Sequence, residues 1–127
     1  MPRILLIDDD DQLRGLLQAI LEGAGYEVDT ASDGKQGVHR FREKRADLAI
    51  VDIFMPEKEG LETIVELKQI EPNVKAIAIS GGGLRLDMEF LDHAKIFGAD
   101  HAMEKPLDPQ ELLNIVHKMI GTIPEAG

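Results

Sequence analysis

Short apolar runs alternate with amphipathic stretches along the chain, five times over. Ile4–Leu5–Leu6–Ile7 is apolar at every position and stops at an acid, which predicts a buried parallel strand over about Arg3–Asp8. Leu13, Leu16, Leu17, Ile20 and Leu21 follow at the i, i+3, i+4, i+7, i+8 spacing of one helical face, predicting a helix over about Asp11–Gly23 that stops at Gly25. Tyr26–Thr30 alternates as an outer strand does, and Ser32 or Asp33 caps a second helix with Val38 and Phe41 inward. Leu48–Val51, ending at Asp52, is apolar on both faces and reads as a central strand, and Val74–Ile79, ending at Ser80, reads as another. Between them a helix over about Leu61–Gln69 presents Leu61, Ile64, Val65 and Leu67. A helix over about Asp87–Phe97 ends at Gly98, and His101–Glu104 forms a short fifth strand before Lys105-Pro106. Asp108 and Pro109 open the last helix as cap and first-turn proline, with Leu112, Leu113, Val116, Met119 and Ile120 on its apolar stripe.

Strict alternation of strand and helix implies a parallel sheet covered by helices on both faces. Ligands of such sheets bind beyond the C-terminal strand ends, where the strand order switches. The chemically useful residues stand there: Asp8 and Asp9 after the first strand, Asp52 after the third, Ser80 after the fourth and Lys105 after the fifth. Asp8 to Asp11 are four consecutive aspartates. Asp10 and Asp11 suit a helix cap and first turn, where acid is favoured. Crowded carboxylates repel unless a cation sits among them, and a hard divalent ion with oxygen ligands, Mg²⁺ above all, relieves that repulsion.

Composition narrows the function classes. The 127 residues suit one domain, with 1–121 as the folded unit and 122–127 as a fraying tail. A formal net charge of −10 disfavours non-specific binding to nucleic acid or anionic membrane. Cysteine is absent, which excludes thiolate chemistry and suits the cytoplasm. No apolar stretch approaches the ~20 residues that span a bilayer. One tyrosine and four phenylalanines are too few for a single-strand stacking platform. His39, His93, His101 and His117 are scattered without metal-ligand spacing.

Taken together, Ile4–Asp9 (ILLIDD), Leu48–Gly60 (LAIVDIFMPEKEG), Ile77–Ser80 (IAIS) and Lys105-Pro106 resemble the receiver domain of two-component response regulators, over about Arg3 to Ile120. The resemblance implies a flavodoxin-like (βα)₅ fold, a doubly wound parallel five-stranded sheet in the order 2-1-3-4-5. It implies that Asp52 accepts a phosphoryl group from a phosphohistidine on a partner kinase. Asp8, Asp9, Asp52 and the main-chain carbonyl of Phe54 would hold Mg²⁺. Ser80 and Lys105 would each bind a phosphoryl oxygen, while Met55-Pro56 and Gly60 shape the loop beside the acceptor. The charges agree: three carboxylates bring −3, and Mg²⁺ with Lys105 returns +3. A phosphoryl group then adds roughly −1.5 to −2, which can draw the Ser80 hydroxyl inward.

The chain departs from the family pattern at several positions. Ala102 stands three residues before Lys105, where receivers commonly carry Tyr or Phe, so an aromatic gate is missing. Gly81–Gly82–Gly83 and Leu84–Arg85–Leu86 lengthen the loop after Ser80, making it the candidate moving part. Phe54 and Gly82 occupy the positions that tune hydrolysis. Neither side chain can orient a water, so slow loss of the phosphoryl group is expected.

The reading is a stand-alone receiver that signals through protein–protein contacts, with a sensor histidine kinase or histidine phosphotransfer protein as donor and an unknown downstream protein as target. The alternatives are a relay intermediate passing phosphate to a histidine phosphotransfer domain, an unphosphorylated interaction module, and a metal-dependent phosphohydrolase. For the last, the D-x-D-x-T pattern is missing, because Ile53 and Phe54 follow Asp52. The glycine triplet lacks the G-x-x-x-x-G-K-[ST] context of a phosphate-cradling loop.

Overall fold

Parallel pairing joins five strands in the order β2-β1-β3-β4-β5, the order the resemblance implied. The strands are β1 (Arg3–Ile7), β2 (Glu27–Ala31), β3 (Leu48–Asp52), β4 (Lys75–Ser80) and β5 (His101–Glu104). Four helices lie among the described residues: α1 (Asp11–Gly23), α2 (Gly34–Glu43), α3 (Glu59–Ile70) and α4 (Pro109–Ile120). The computed structural model describes residues 2–53, 59–80 and 98–121. The helix expected over Asp87–Phe97, the glycine triplet, Met55-Pro56, Phe54 and His93 lie outside them.

Every residue of β1 and β3 is buried, as apolar runs without alternation require. Successive side chains divide between the two faces. Leu5, Ile7, Ala49, Val51, Ala76 and Ala78 pack with Phe41 of α2 and with Ile64 and Leu67 of α3. Ile4, Leu6, Leu48, Ile50, Ile77, Ile79 and Met103 pack with Leu17 and Leu21 of α1 and with Leu112 and Val116 of α4. The doubly wound sandwich therefore has α1 and α4 on one side and α2 and α3 on the other.

Two expectations about helix faces need correction. Leu16 is 55% exposed rather than buried. The buried line on α1 runs through Leu17 and Leu21, four residues apart, and Leu16 is rotated one step off it. On α3 the fully buried residues are Ile64 and Leu67, with Thr63 beside them, while Val65 is only partly buried. Thr63 is a polar residue on a core face, which an apolar pattern search passes over.

The helix starts follow their caps. Asp10 accepts from the amides of Gln12 and Leu13 at 3.0 and 3.1 Å. Of the two candidates for α2, Asp33 is the cap, accepting from Gln36 N at 2.7 Å, and the Gln36 side chain returns to Ser32 N at 2.8 Å. Asp108 accepts from Gln110 N at 3.0 Å ahead of α4.

α3 begins at Glu59, earlier than the apolar pattern indicates, and Gly60 lies inside its first turn. A Cβ at Gly60 would stand 2.4 Å from both the Asp52 carbonyl oxygen and Ile53 Cα. Because these are main-chain atoms, a side chain at 60 must displace α3 or the end of β3. Gly60→Ala is expected to lose about 1–3 kcal/mol of stability through overpacking, although alanine is intrinsically the better helix former by about 1 kcal/mol. Urea unfolding checks this, and a stability at or above the parent's contradicts it.

Candidate functional site

Asp8 follows β1 directly and is fully buried. Its amide continues the β1–β2 pairing by donating to Ala31 O at 3.1 Å. Its Oδ1 accepts from the Asp10 amide at 2.9 Å, closing a local turn that leads into α1. Its main-chain carbonyl accepts from Arg14 Nη1 at 2.7 Å. Asp9, the next residue, is exposed.

Asp52 is the last residue of β3 and is 2% exposed. The adjacency of β1 and β3, with Ile7 opposite Val51, brings this strand end beside Asp8. Carboxylate oxygens of Asp8, Asp9 and Asp52 lie within 4.8 Å of one another, the one His/Cys/Asp/Glu cluster among the described residues with that geometry.

Lys105 completes the constellation from the far side of the sheet. Its amide donates to Ser80 O at 2.9 Å, extending the β4–β5 ladder past Glu104. Its ammonium stands 3.2 Å from Asp8 Oδ2 and 3.3 Å from Asp52 Oδ2. Burial alone would pull the Lys105 pKa down, but Asp52 and Asp8 outweigh it and hold the ammonium above its ordinary range.

Ser80 ends β4 fully buried, opposite Glu104 in register, and its Oγ has no hydrogen-bond partner among the described residues. Asp8 Oδ2 is likewise buried without a well-aligned hydrogen bond, although it faces the Lys105 ammonium. Orphaned buried polar atoms are uncommon in folded proteins. Here the one without any charged partner is the Ser80 hydroxyl, since Asp8 Oδ2 is ion-paired with Lys105. The all-oxygen donor set of Asp8, Asp9 and Asp52 fits a hard cation such as Mg²⁺ better than a softer metal.

Of the residues singled out in the sequence, Asp8, Asp9, Asp52 and Lys105 are brought together. Ser80 stands at the neighbouring strand end, and Phe54 lies outside the described residues. The described histidines take no part in the acidic cluster. His39 pairs with Glu43 at 3.1 Å on the exposed side of α2, and the His117 ring lies 5.7 Å from that of Tyr26. Arg14 is the residue that motif reading missed. Its signal was present: a cation three residues after Asp11, one helical turn into α1.

The comparisons with known proteins agree with this geometry. Residues 4–117 match the family model of the response regulator receiver domain. The chain is 33% identical to the chemotaxis protein CheY of Thermotoga maritima over 118 residues, 92% of this chain and 96% of that protein. It is 32% identical to the transcriptional regulatory protein CpxR homolog of Haemophilus influenzae, where it covers 89% of itself but spans about half (48%) of that longer relative. Among solved structures, the CheY-like receiver domain protein of Methanospirillum hungatei superposes with a TM-score of 0.84 at 30% identity, covering 93% of this chain and 92% of that one. With this match, the five-stranded topology and the acid–lysine site at the strand ends, the chain belongs to the response regulator receiver domain family.

Proposed function

We propose that this receiver accepts a phosphoryl group on Asp52, with Mg²⁺ held by Asp8, Asp9, Asp52 and the main-chain carbonyl of Phe54. The observation that carries this reading is the meeting of three carboxylates within 4.8 Å and one ammonium 3.3 Å from Asp52. An Asp52 carboxylate oxygen attacks the phosphorus of a phosphohistidine on a partner kinase or phosphotransfer protein. As the new O–P bond forms, the P–N bond breaks and its electron pair returns to the imidazole nitrogen. Nucleophile and phosphoryl group are both anionic, so charge neutralisation and alignment supply most of the catalysis. Bound Mg²⁺ would supply a Lewis-acidic contact to phosphoryl oxygen. Lys105 already faces the acceptor and offers the second positive charge. The unpartnered Ser80 hydroxyl can donate to a phosphoryl oxygen once one arrives.

We further propose that the signal leaves through protein–protein contacts in the cytoplasm. A relative matched over 96% of its own length consists of little beyond the matched domain, which supports signalling through contacts of the receiver itself. No helix among the described residues is long and apolar enough to cross a membrane.

Two outcomes test the site. Asp52→Asn is expected to take up no acid-labile radiolabelled phosphate from a histidine kinase that labels the parent, while its circular dichroism stays that of the parent. Chelating divalent ions is expected to bring labelling of the parent to background. Label on Asp52→Asn, or labelling indifferent to chelator, contradicts the assignment.

A third outcome follows from Lys105. Its pKa in the fold is raised above the ordinary lysine value of 10.5. The ammonium therefore contributes stability that is complete below the unfolded-state value and is lost as pH rises through the higher folded value. In metal-free buffer the parent is expected to lose more stability above about pH 10.5 than Lys105→Met does. Burial raises the Tyr26 pKa in both proteins, so its contribution cancels in the comparison. Parallel pH profiles contradict the coupling.

A further inference from the structure

We infer that Arg14 is a positioning residue for the metal site: it clamps the peptide unit joining Asp8 to Asp9 and so sets where the Asp9 carboxylate stands. This rests on the reading of Asp8, Asp9 and Asp52 as Mg²⁺ ligands.

The three acids are held very differently. Asp52 is fixed at the end of a central strand by its β3–β4 register with Ile79. Asp8 is buried, and its amide, Oδ1 and Oδ2 all face protein groups. Asp9 lies outside the strand, is exposed, and starts the turn into α1. Its placement depends on the orientation of the preceding peptide plane. The oxygen of that plane is the Asp8 carbonyl, and Arg14 Nη1 donates to it at 2.7 Å. The other arm of the same guanidinium, Nη2, donates to Asp11 Oδ1 at 2.6 Å. A planar fork spanning two acceptors fixes direction as well as distance. The Arg14 side chain is only 19% exposed, whereas Asp11 is 82% exposed. The contact to Asp8 O is therefore the better shielded of the two and the one expected to matter.

Charge and geometry predict opposite effects for loss of this residue. Arg14 brings a positive charge next to a site that must attract a cation. On charge alone, its removal should tighten Mg²⁺ binding. If its work is to hold the Asp8–Asp9 peptide, removal should weaken binding, as loss of groups that orient ligands from behind commonly does by about 10–100-fold. The geometry favours the second outcome, because the guanidinium points at the main chain of the ligand-bearing turn.

The experiment is Mg²⁺ titration by calorimetry on the full chain, with parent, Asp9→Asn, Arg14→Ala, Arg14→Lys and Asp11→Asn proteins. All are held well below their own melting temperatures so that folding loss does not enter. Arg14→Ala is expected to weaken binding by about 10–100-fold. Arg14→Lys keeps the charge but lacks the fork, and is expected to fall well short of the parent. Asp11→Asn is expected to stay near the parent, because the Asp8 arm survives. In metal-free protein, Arg14→Ala is expected to speed hydrogen exchange at the Asp10 amide, which the Asp8–Asp10 turn protects. Unchanged or tighter Mg²⁺ binding by Arg14→Ala, or full rescue by lysine, overturns the inference. Where the parent binds and Asp9→Asn weakens binding, that failure belongs to Arg14 alone. A parent that binds no Mg²⁺ overturns both this inference and the metal reading beneath it.

Discussion

Three carboxylates and one ammonium crowded at adjoining strand ends set the terms for the rest of this molecule. Two unit charges 4 Å apart interact by about 4 kcal/mol at an effective dielectric near 20. Lys105 bridges Asp8 and Asp52 and supplies two attractions of this kind, while Asp8, Asp9 and Asp52 supply three mutual repulsions. One lysine therefore leaves the cluster with negative charge in excess. The site is held by its scaffold as well as by its own charges, and it is poised to gain from a further cation. That excess is what a further cation among the three carboxylates would relieve.

The scaffold meets that demand by burial on both sides of one sheet. β1 and β3 are neighbours, so the ends that carry Asp8 and Asp52 are hydrogen-bonded parts of the same ladder. β4 and β5 continue it and place Ser80 and Lys105 at the adjacent ends, with the Lys105 amide donating to the Ser80 carbonyl. The small side chains Ala49, Ala76 and Ala78 face α2 and α3, while Ile50, Ile77 and Ile79 face α1 and α4. Close-packed layers of this kind resist sub-ångström displacement, which a site built from four strand ends needs. Gly60 shows how tight the fit becomes, since α3 approaches the main chain after Asp52 closely enough to exclude a methyl group.

At β5 the molecule differs from the common receiver pattern, with Ala102 three residues before Lys105. Ala102 packs at the margin of the α2/α3-side core, and His101, its neighbour on β5, faces the opposite side of the sheet. Neither residue can play the part of an aromatic ring swinging between two positions beside Ser80. The acids and the lysine of the receiver pattern stand together at the strand ends, whereas among the described residues none on β5 offers an aromatic ring on the Ala102 face.

Most of the architecture was legible along the chain, because a buried parallel strand and an amphipathic helix write different periods into sequence. β1 and β3 appeared as unbroken apolar runs and β4 as a run interrupted only by Lys75, each followed by a polar residue that was a candidate for the site. The predicted bounds missed by a residue or two where polar residues joined an element, as at Ser80 in β4 and Glu59 in α3. Periodicity did not distinguish Leu16 from Leu17, because both fall within a broad apolar arc and only packing against the sheet selects the line that is buried. Nor did any motif identify Arg14, whose importance lies in a hydrogen bond to a main-chain carbonyl, a group every residue possesses. The sequence by itself determined which residue types stand at which strand ends, since that follows from local pattern. Only the tertiary structure decided that Asp8, Asp52 and Lys105 share one ion-paired site with Asp9 at its exposed edge, because strands distant along the chain become neighbours only when both faces of the sheet are packed.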